Sequence, residues 1–409
     1  MKLLHTADWH LGKRLERFSR LDEQQEVLDE ICQIADEHQV DAVLIAGDLF
    51  DTFNPPTEAI DLFYKTLKRL SLNGKRLVVA IAGNHDSPDR IEAPEPLAKE
   101  CGILLVGYPN TFIHPFELSS GLKLLNADKG FIEIQLPEIR EPLRLILTPY
   151  ANELRLRSFL GLDDPEQELR ELLQQHWQTL AERYCDDNGV NILMAHLFFV
   201  KQGEEPGEEP EEEKPILHVG GAQAIHSSNI PPQIQYVALG HLHRKQVVAD
   251  DPCPMIYSSS PLCYSMSEAE QTKYVMIVEA HPGEKVSINE IPLTSGRTLY
   301  RKRFEDVGSA VDWLKENPDA LVELTIVTPT YLTAEERKRL SEAHSGIVAI
   351  IPLLSEALSD TPSHGKSINL ENSMEELFKS YFIYKHNQPP GEELIELFRE
   401  IQSVEREKG

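Results

Sequence analysis

Apolar residues fall in short, nearly continuous runs separated by amphipathic stretches. Lys2–Thr6, Ala42–Ala46 and residues 77–82 are three such runs. Each is too short for a stable helix and too uniformly apolar for a strand with one wet face. Each therefore reads as a strand buried on both sides. Between them, residues 21–38 carry Val27, Leu28, Ile31, Ile34 and Ala35, and Thr57–Leu70 carries Ile60, Phe63, Tyr64, Leu67 and Leu70. Both sets follow helical spacing and mark one buried face. Thr57 reads as an N-cap, and Glu58 suits a first turn. Strand, helix, strand, helix, strand predicts a parallel sheet covered on both faces.

The alternation continues less regularly. Ile103–Val106 and residues 143–147 read as strands. Pro165–Tyr184 reads as a helix, with Asp164 as N-cap and Pro165 at its first position. Residues 191–195, 236–239, 255–258 and 274–279 are further strands, and the last two are expected to close the sheet. Beyond Pro282 a second, smaller α/β pattern begins. Strands are expected at 298–304, 321–327 and 347–353, with helices at Val307–Glu316 and 333–343; Thr333-x-x-Glu336 is a capping box. Residues 355–370 are polar and read as a linker. Ser373-x-x-Glu376 then caps a helix with Leu377, Phe378, Tyr381 and Phe382. Pro389-Pro390-Gly391 breaks it, and a last helix carries Leu394, Ile395, Leu397, Phe398 and Ile401. These two apolar helices either pack back on the body or await a partner. The expected organisation is 1–281, a first domain; 282–354, a small α/β domain; 355–370, a linker; and 371–409, a helical segment.

Composition narrows this picture without redirecting it. A chain of 409 residues exceeds one core. Its 41% hydrophobic and 26% charged content fits a globular protein. No apolar run approaches the ~20 residues that span a bilayer, and the start of the chain lacks a signal-peptide core. The expected compartment is the cytoplasm. Five scattered cysteines include no Cys-x-x-Cys pair, so neither a disulfide framework nor a zinc knuckle is indicated. The net charge of −27 argues against a polyanionic partner unless charge is unevenly spread. Seven glutamates concentrate between Glu204 and Glu213, and residues 203–214 read as a solvated acidic loop. Any nucleic-acid surface must be a local basic patch. Lys13, Arg14, Arg17 and Arg20 after the first strand, and Arg244 and Lys245 further on, are the candidates.

The chemistry lies at the strand ends. Asp8 and His10 follow the first strand, Asp48 the second, and Asn84 and His85 the third. His196 ends another strand, and His241 and His243 follow the run at 236–239. Ligands in parallel α/β sheets bind at the carboxyl ends of strands. Alone, His-x-His is as readily a polar loop, and Asn84 a turn residue. Five strand ends that each deliver Asp, Asn or His point to one metal centre. The oxygen and imidazole mixture suits Mn²⁺ first, with Fe²⁺ and Zn²⁺ as alternatives, and is too nitrogen-rich for Ca²⁺. Seven ligands are enough for two ions sharing a carboxylate. Such a pair can clamp the oxygens of an in-line displacement at phosphorus.

Asp8-x-His10, Gly47-Asp48-x-x-Asp51, Gly83-Asn84-His85-Asp86, His196 and Gly240-His241-x-His243 resemble the motifs of the calcineurin-like metallophosphoesterases. The longer stretches from His5 to Gly12, Ala46 to Asp51 and Ala238 to His243 resemble the bacterial SbcD nuclease family. The resemblance implies a fold of class α/β: a β-sandwich flanked by helices, with a small α/β DNA-binding cap and a C-terminal helical tail. It implies one metal on Asp8, His10, Asp48 and His243, and a second on Asp48, Asn84, His196 and His241. His85 would face the scissile phosphate, and Asp86 would orient that ring. It further implies Mn²⁺-dependent exonuclease action on duplex DNA ends and endonuclease action on hairpins and single strands. Such action serves repair, recombination and replication. A homodimer would join the coiled-coil ATPase SbcC into a heterotetramer, gripped through Leu377, Phe378, Phe382, Leu394, Leu397 and Phe398. The sequence departs from the family in three places, one of them the acidic run 203–214 after His196, which reads as an insertion. Asp51 stands where some relatives have histidine, though bacterial members commonly have Asp, and Ser258-Ser259-Ser260-Pro261 lacks a glycine often found before Ser-Pro. A small-molecule phosphodiesterase on the same fold and a non-catalytic DNA-end scaffold are the competing readings. The cap and tail count against the first, and the intact ligand set against the second.

Overall fold

The strand Lys2–Thr6 pairs in parallel with Ala42–Ala46, that strand with Leu77–Ile81, and that in turn with Ile103–Val106. On its other side Lys2–Thr6 pairs antiparallel with Lys273–Glu279, which pairs with Ser287–Leu293. These six strands form the first sheet. The strands that deliver His196 and His241 do not extend it. Val190–His196 and Tyr236–Gly240 lie side by side in a second, seven-stranded sheet with Met255–Tyr257, Gln246–Ala249, Leu143–Thr148, Phe131–Gln135 and Lys123–Asp128. The single sheet expected from the apolar pattern is thus two. Local pattern reports that a strand is buried on both faces, but not against what.

The structure, a computed structural model, describes residues 1–156, 165–204, 224–329 and 331–354, and residues 377–379, 382, 390–391, 394–395 and 398 of the C-terminal segment. Asp164, most of the acidic loop, the 355–370 linker, Ser373, Glu376 and Leu397 lie outside the described residues.

Side chains alternate across each strand, so each sheet has two buried faces. Leu44, Val79 and Ile81 face Leu145, Ile192, Met194 and Ala238 between the sheets. Val43, Ile45, Val78 and Ala80 face the opposite way, onto Val27, Ile31, Phe63 and Leu67 of the helices Leu21–Glu37 and Thr57–Leu70. The outer face of the second sheet places Ile146, Leu193 and Val237 against Leu169, Leu173 and Trp177 of the helix Pro165–Tyr184. Each fully buried aliphatic chain is worth about 1.5–3 kcal/mol. The layers therefore rest on these apolar interfaces. Thr57 is not the expected cap. Pro56, in extended conformation, is the N-cap, and its carbonyl accepts from the amides of Ala59 and Ile60.

The first compact unit is Met1–Thr298 and the second is Leu299–Gly409. A boundary at 281 would cut off Ser287–Leu293, which pairs along its whole length with Lys273–Glu279. The second unit holds three parallel strands, Leu299–Phe304, Leu321–Thr328 and Ile347–Leu354, with the helices Val307–Glu316 and Ala334–Ala343. Thr333 and Glu336 form the expected reciprocal cap. Leu377, Phe378, Phe382, Leu394 and Phe398 are half-buried. Phe378 stacks on Phe398, with ring centres 4.2 Å apart, so the two C-terminal stretches touch each other. No helix among the described residues is long and apolar enough to cross a membrane.

Candidate metal centre

Carboxyl ends of strands from both sheets meet at one edge of the sandwich. The chain there is bent hard. Asp8, His10, Asp48 and His241 have φ of 55°, 43°, 45° and 112°. Such left-handed backbone costs roughly 1–3 kcal/mol per non-glycine residue and persists only where surroundings enforce it. Enforcement comes from cross-strand bonds, Asp8 N to Gly47 O at 3.0 Å and His10 N to Asp48 O at 2.9 Å. Two glycines let the strand ends close in. A Cβ on Gly47 would collide with the His196 ring, and one on Gly83 with the Asp48 carboxylate.

The seven candidate ligands come together in two overlapping groups. His10 Nε2 lies 2.9 Å from His243 Nε2 and 3.4 Å from Asp48 Oδ2. Asn84 Oδ1 lies 2.9 Å from His196 Nε2 and 3.1 Å from His241 Nδ1, and His196 Nε2 lies 3.5 Å from Asp48 Oδ2. Asp48 Oδ2 thus stands between the groups. Asp8 Oδ1 accepts from the His241 amide at 2.9 Å and lies 3.7 Å from His196 Nδ1. All seven residues are buried.

This donor set fits divalent cations. His196 Nδ1 donates to the Ala46 carbonyl at 2.9 Å, so in the neutral ring Nε2 turns a lone pair toward Asn84 Oδ1, itself an acceptor. Such facing lone pairs are what a cation binds. Asp8 Oδ2, His10 Nδ1 and Asn84 Nδ2 are buried without hydrogen-bond partners. Asp8, His10 and Asp48 form one metal-sized cluster, and His10, Asp51 and His85 another. Burial pushes the Asp8 carboxyl upward and the His10 imidazole down to about 3. Burial also acts against the charge on Asp48, but His196, His85 and His10 outweigh it and hold that carboxyl well below its ordinary range. On the His196 ring burial again opposes charge, yet Asp48 and Asp8 outweigh it and hold the imidazole up at about 9. The two carboxylates thus call for positive charge between them, which a divalent ion supplies.

Several supporting residues were not legible in the sequence. Glu268 Oε1 lies 3.4 Å from His243 Nδ1, behind a ring whose Nε2 faces the centre. Glu268 is buried, pairs with Lys273, and accepts from the amides of Tyr264 and Ser265 at 3.1 Å. Lys273 also donates to the His243 carbonyl at 2.9 Å and to Ser260 Oγ at 3.0 Å. Gln24 similarly bonds the His10 carbonyl at 2.8 Å. A carboxylate behind a ligating imidazole fixes its tautomer and orientation. Glu268→Gln is therefore expected to lower metal affinity or activity roughly 10–100-fold. Mn²⁺ titration with a parallel activity assay checks this, and wild-type values in both would remove Glu268 from the site. The Ser265-x-x-Glu268 capping spacing was the available clue. Ser259, where the resemblance led to an expected glycine, adopts φ 90°, and its Oγ accepts from the Tyr274 amide at 3.0 Å. The loop keeps a glycine-like backbone without the glycine.

His85 occupies a different position from the seven candidate ligands. Its Nδ1 donates to the Asp51 carbonyl at 3.0 Å, and its Nε2 is buried without a partner. Asp86 does not orient that ring. Its carboxylate accepts from the amides of Gly83, Leu49 and Phe50 at 2.8–3.0 Å and ties the third strand end to the second. Asp51 supplies the orienting oxygen instead, and its carboxylate holds Lys13 at 2.8 Å.

The six basic candidates divide. Arg20 is buried, bidentate to Glu23 and bonded to the Cys263 carbonyl, so it cannot contact a phosphate. Its apparent membership of a basic loop reflects spacing alone; Glu23, one helical turn on, takes the charge inward. Lys245 pairs with Glu290. Lys13 sits at the rim on Asp51. Arg14, Arg17 and Arg244 are exposed.

Fold and site together define a metal-dependent phosphoesterase. The sequence pattern described as calcineurin-like phosphoesterase matches residues 1–245. The chain is 39% identical to the SbcD subunit of nuclease SbcCD from Bacillus subtilis (strain 168), covering 100% of this chain and 99% of that one. It is 28% identical to the protein of that name from Escherichia coli (strain K12), over 83% and 81% of the two chains. With the Staphylococcus epidermidis protein of that name it shares 30% identity over 75% and 74%. The chain belongs to the calcineurin-like phosphoesterase family, in the branch formed by the SbcD nuclease subunits.

Proposed function

We propose that the chain is the nuclease subunit of an SbcCD-type complex and hydrolyses DNA phosphodiesters at a pair of divalent ions. The observation that carries this reading is the likeness to a nuclease subunit along the whole of both chains, cap and tail included. The two overlapping donor groups support an assignment of one ion to Asp8, His10, Asp48 and His243. The other would take Asp48, Asn84, His196 and His241, with Asp48 shared. The oxygen and imidazole donor set favours Mn²⁺. When bound, such ions supply charge neutralisation and polarisation at the phosphate. His85, anchored through Nδ1, aims Nε2 at the substrate side and stabilises charge there or protonates the leaving oxygen. Arg14, Arg17 and Arg244, with Lys13 at the rim, position the DNA backbone.

The substrates are duplex ends, cut exonucleolytically, and hairpins or single strands, cut endonucleolytically. This activity serves DNA repair, recombination and replication in the cytoplasm. Two copies join the SbcC-type coiled-coil ATPase in a heterotetramer, with residues 371–409 gripping the coiled coil. The test is cleavage of end-labelled duplex and hairpin DNA with Mn²⁺ against EDTA, alone and with the ATPase, for the full chain and for a chain lacking 371–409. The expected result is metal-dependent cutting by both chains alone and loss of ATPase binding by the short one. Hydrolysis of small phosphodiesters without any DNA cleavage would overturn the substrate assignment. Unchanged ATPase binding by the short chain would overturn the role of the tail.

A further inference from the structure

We infer that Arg155 is a positioning residue for this reaction, a guanidinium clamp that sets the loop carrying Asn84 and His85. The inference rests on the phosphodiesterase reading above. Arg155 is 7% exposed. Its Nη1 donates to the Gly83 carbonyl at 2.7 Å and its Nη2 to the Asp86 carbonyl at 2.8 Å, with the Asn84 carbonyl at 3.5 Å. The two short bonds bracket Asn84 and His85.

The origin of the clamp gives it its purpose. The loop Gly83–Asp86 ends a strand of the first sheet, whereas Arg155 lies beyond Leu143–Thr148 of the second. The connecting chain is itself fastened to the first sheet, Tyr150 N to the Ala82 carbonyl at 2.9 Å. The turn Glu153–Leu156 is set by Asn152 Oδ1, which accepts from the Arg155 amide at 2.9 Å. The guanidinium also lies over the Tyr150 ring, 5.1 Å from its centre. The Asp86 carboxylate, at the end of the same loop, accepts from the Gly83 amide and from the Leu49 and Phe50 amides of the second strand end, and so anchors the loop from the other side. The loop is thus held by a cationic donor fork on one side and an anionic acceptor on the other.

Asn84 faces His196 and His241 of the second sheet, while His85 takes its orientation from Asp51 of the first. One loop therefore serves both sheets, and a small shift would disturb a ligand and the phosphate-facing ring together. The planar guanidinium holds its donors in a fixed fork that spans the Gly83 and Asp86 carbonyls, whereas an ammonium is a compact charge whose three donors rotate and hold no such spacing.

The test compares full-length wild type, Arg155→Met and Arg155→Lys. Readouts are kcat and KM on bis-p-nitrophenyl phosphate and end-labelled DNA with Mn²⁺, calorimetric Mn²⁺ binding, and the melting temperature. For Arg155→Met the expected result is a fall of about 100-fold in kcat with KM little changed, as for misplaced reacting groups. Mn²⁺ affinity is expected to weaken roughly 10–100-fold. Arg155→Lys is expected to restore the melting temperature but less than about a tenth of the lost rate. It carries the test should the methionine variant fail to fold. Wild-type kcat and Mn²⁺ affinity in either variant would overturn the inference, because the fork would then be dispensable. A wild type that hydrolyses neither substrate, yet binds Mn²⁺, would overturn the phosphodiesterase reading instead.

Discussion

Replacing Asp48 by alanine is expected to abolish metal-dependent cleavage, a fall on the order of 10³-fold or more in kcat/KM. The Asp48 side chain stands between the two donor groups. Its Oδ2 lies 3.4 Å from His10 Nε2 and 3.5 Å from His196 Nε2, so it belongs to both donor groups. Its Oδ1 accepts from the His85 amide at 2.9 Å, which ties the metal centre to the residue proposed to act on the phosphate. Alanine removes one of the two carboxylates among the candidate ligands and leaves their four imidazoles without the charge that makes the pocket a cation site. Cleavage of end-labelled duplex DNA with Mn²⁺, beside metal content by mass spectrometry, is the measurement. A variant that keeps both ions and cuts within tenfold of wild type would sink the shared-carboxylate assignment.

His85→Ala is expected to separate binding from chemistry. Cleavage should fall about 10²–10⁴-fold, the usual contribution of a positioned acid or charge stabiliser. Mn²⁺ binding should be nearly unchanged. The reason is geometric. His85 Nδ1 is spent on the Asp51 carbonyl and Nε2 is unpartnered, while its ring meets His10 only edge to face, 4.9 Å between centres. Removing it leaves both donor groups whole. Loss of metal together with activity would make His85 a support for the ligands, and unchanged activity would leave it without a role. The contrast with Asp48→Ala is the informative one, since both variants should be inactive but only one metal-poor.

Much of this protein is written locally. Strand and helix spans follow from a few residues of apolar periodicity, which depends on side-chain direction along one element. The candidate ligands are equally local, because a strand end followed by Asp, Asn or His can be read without knowing any partner. Some features were readable and passed over. The hairpin of Lys123–Asp128 and Phe131–Gln135, with Gly130 at φ 69° in its turn, has ordinary turn chemistry. The strand Ser287–Leu293 lies at the edge of its sheet and alternates only weakly, so its apolar signal is diluted.

The sequence by itself determined the class of fold, the seven candidate ligands and His85, because each depends on neighbours a few residues away. Only the tertiary structure decided which sheet each ligand comes from. It gave Asp86 a backbone-holding task and His85 its orienting carbonyl on Asp51. It took Arg20 out of the basic patch and brought Glu268 behind His243 and Arg155 beneath the Gly83–Asp86 loop. Arg155 and Gly83 are 72 residues apart in the chain, and His10 and His243 are 233 apart. Contacts over such separations leave no periodic trace. They exist only once two apolar sheets have packed face to face and carried their polar strand ends to the same edge.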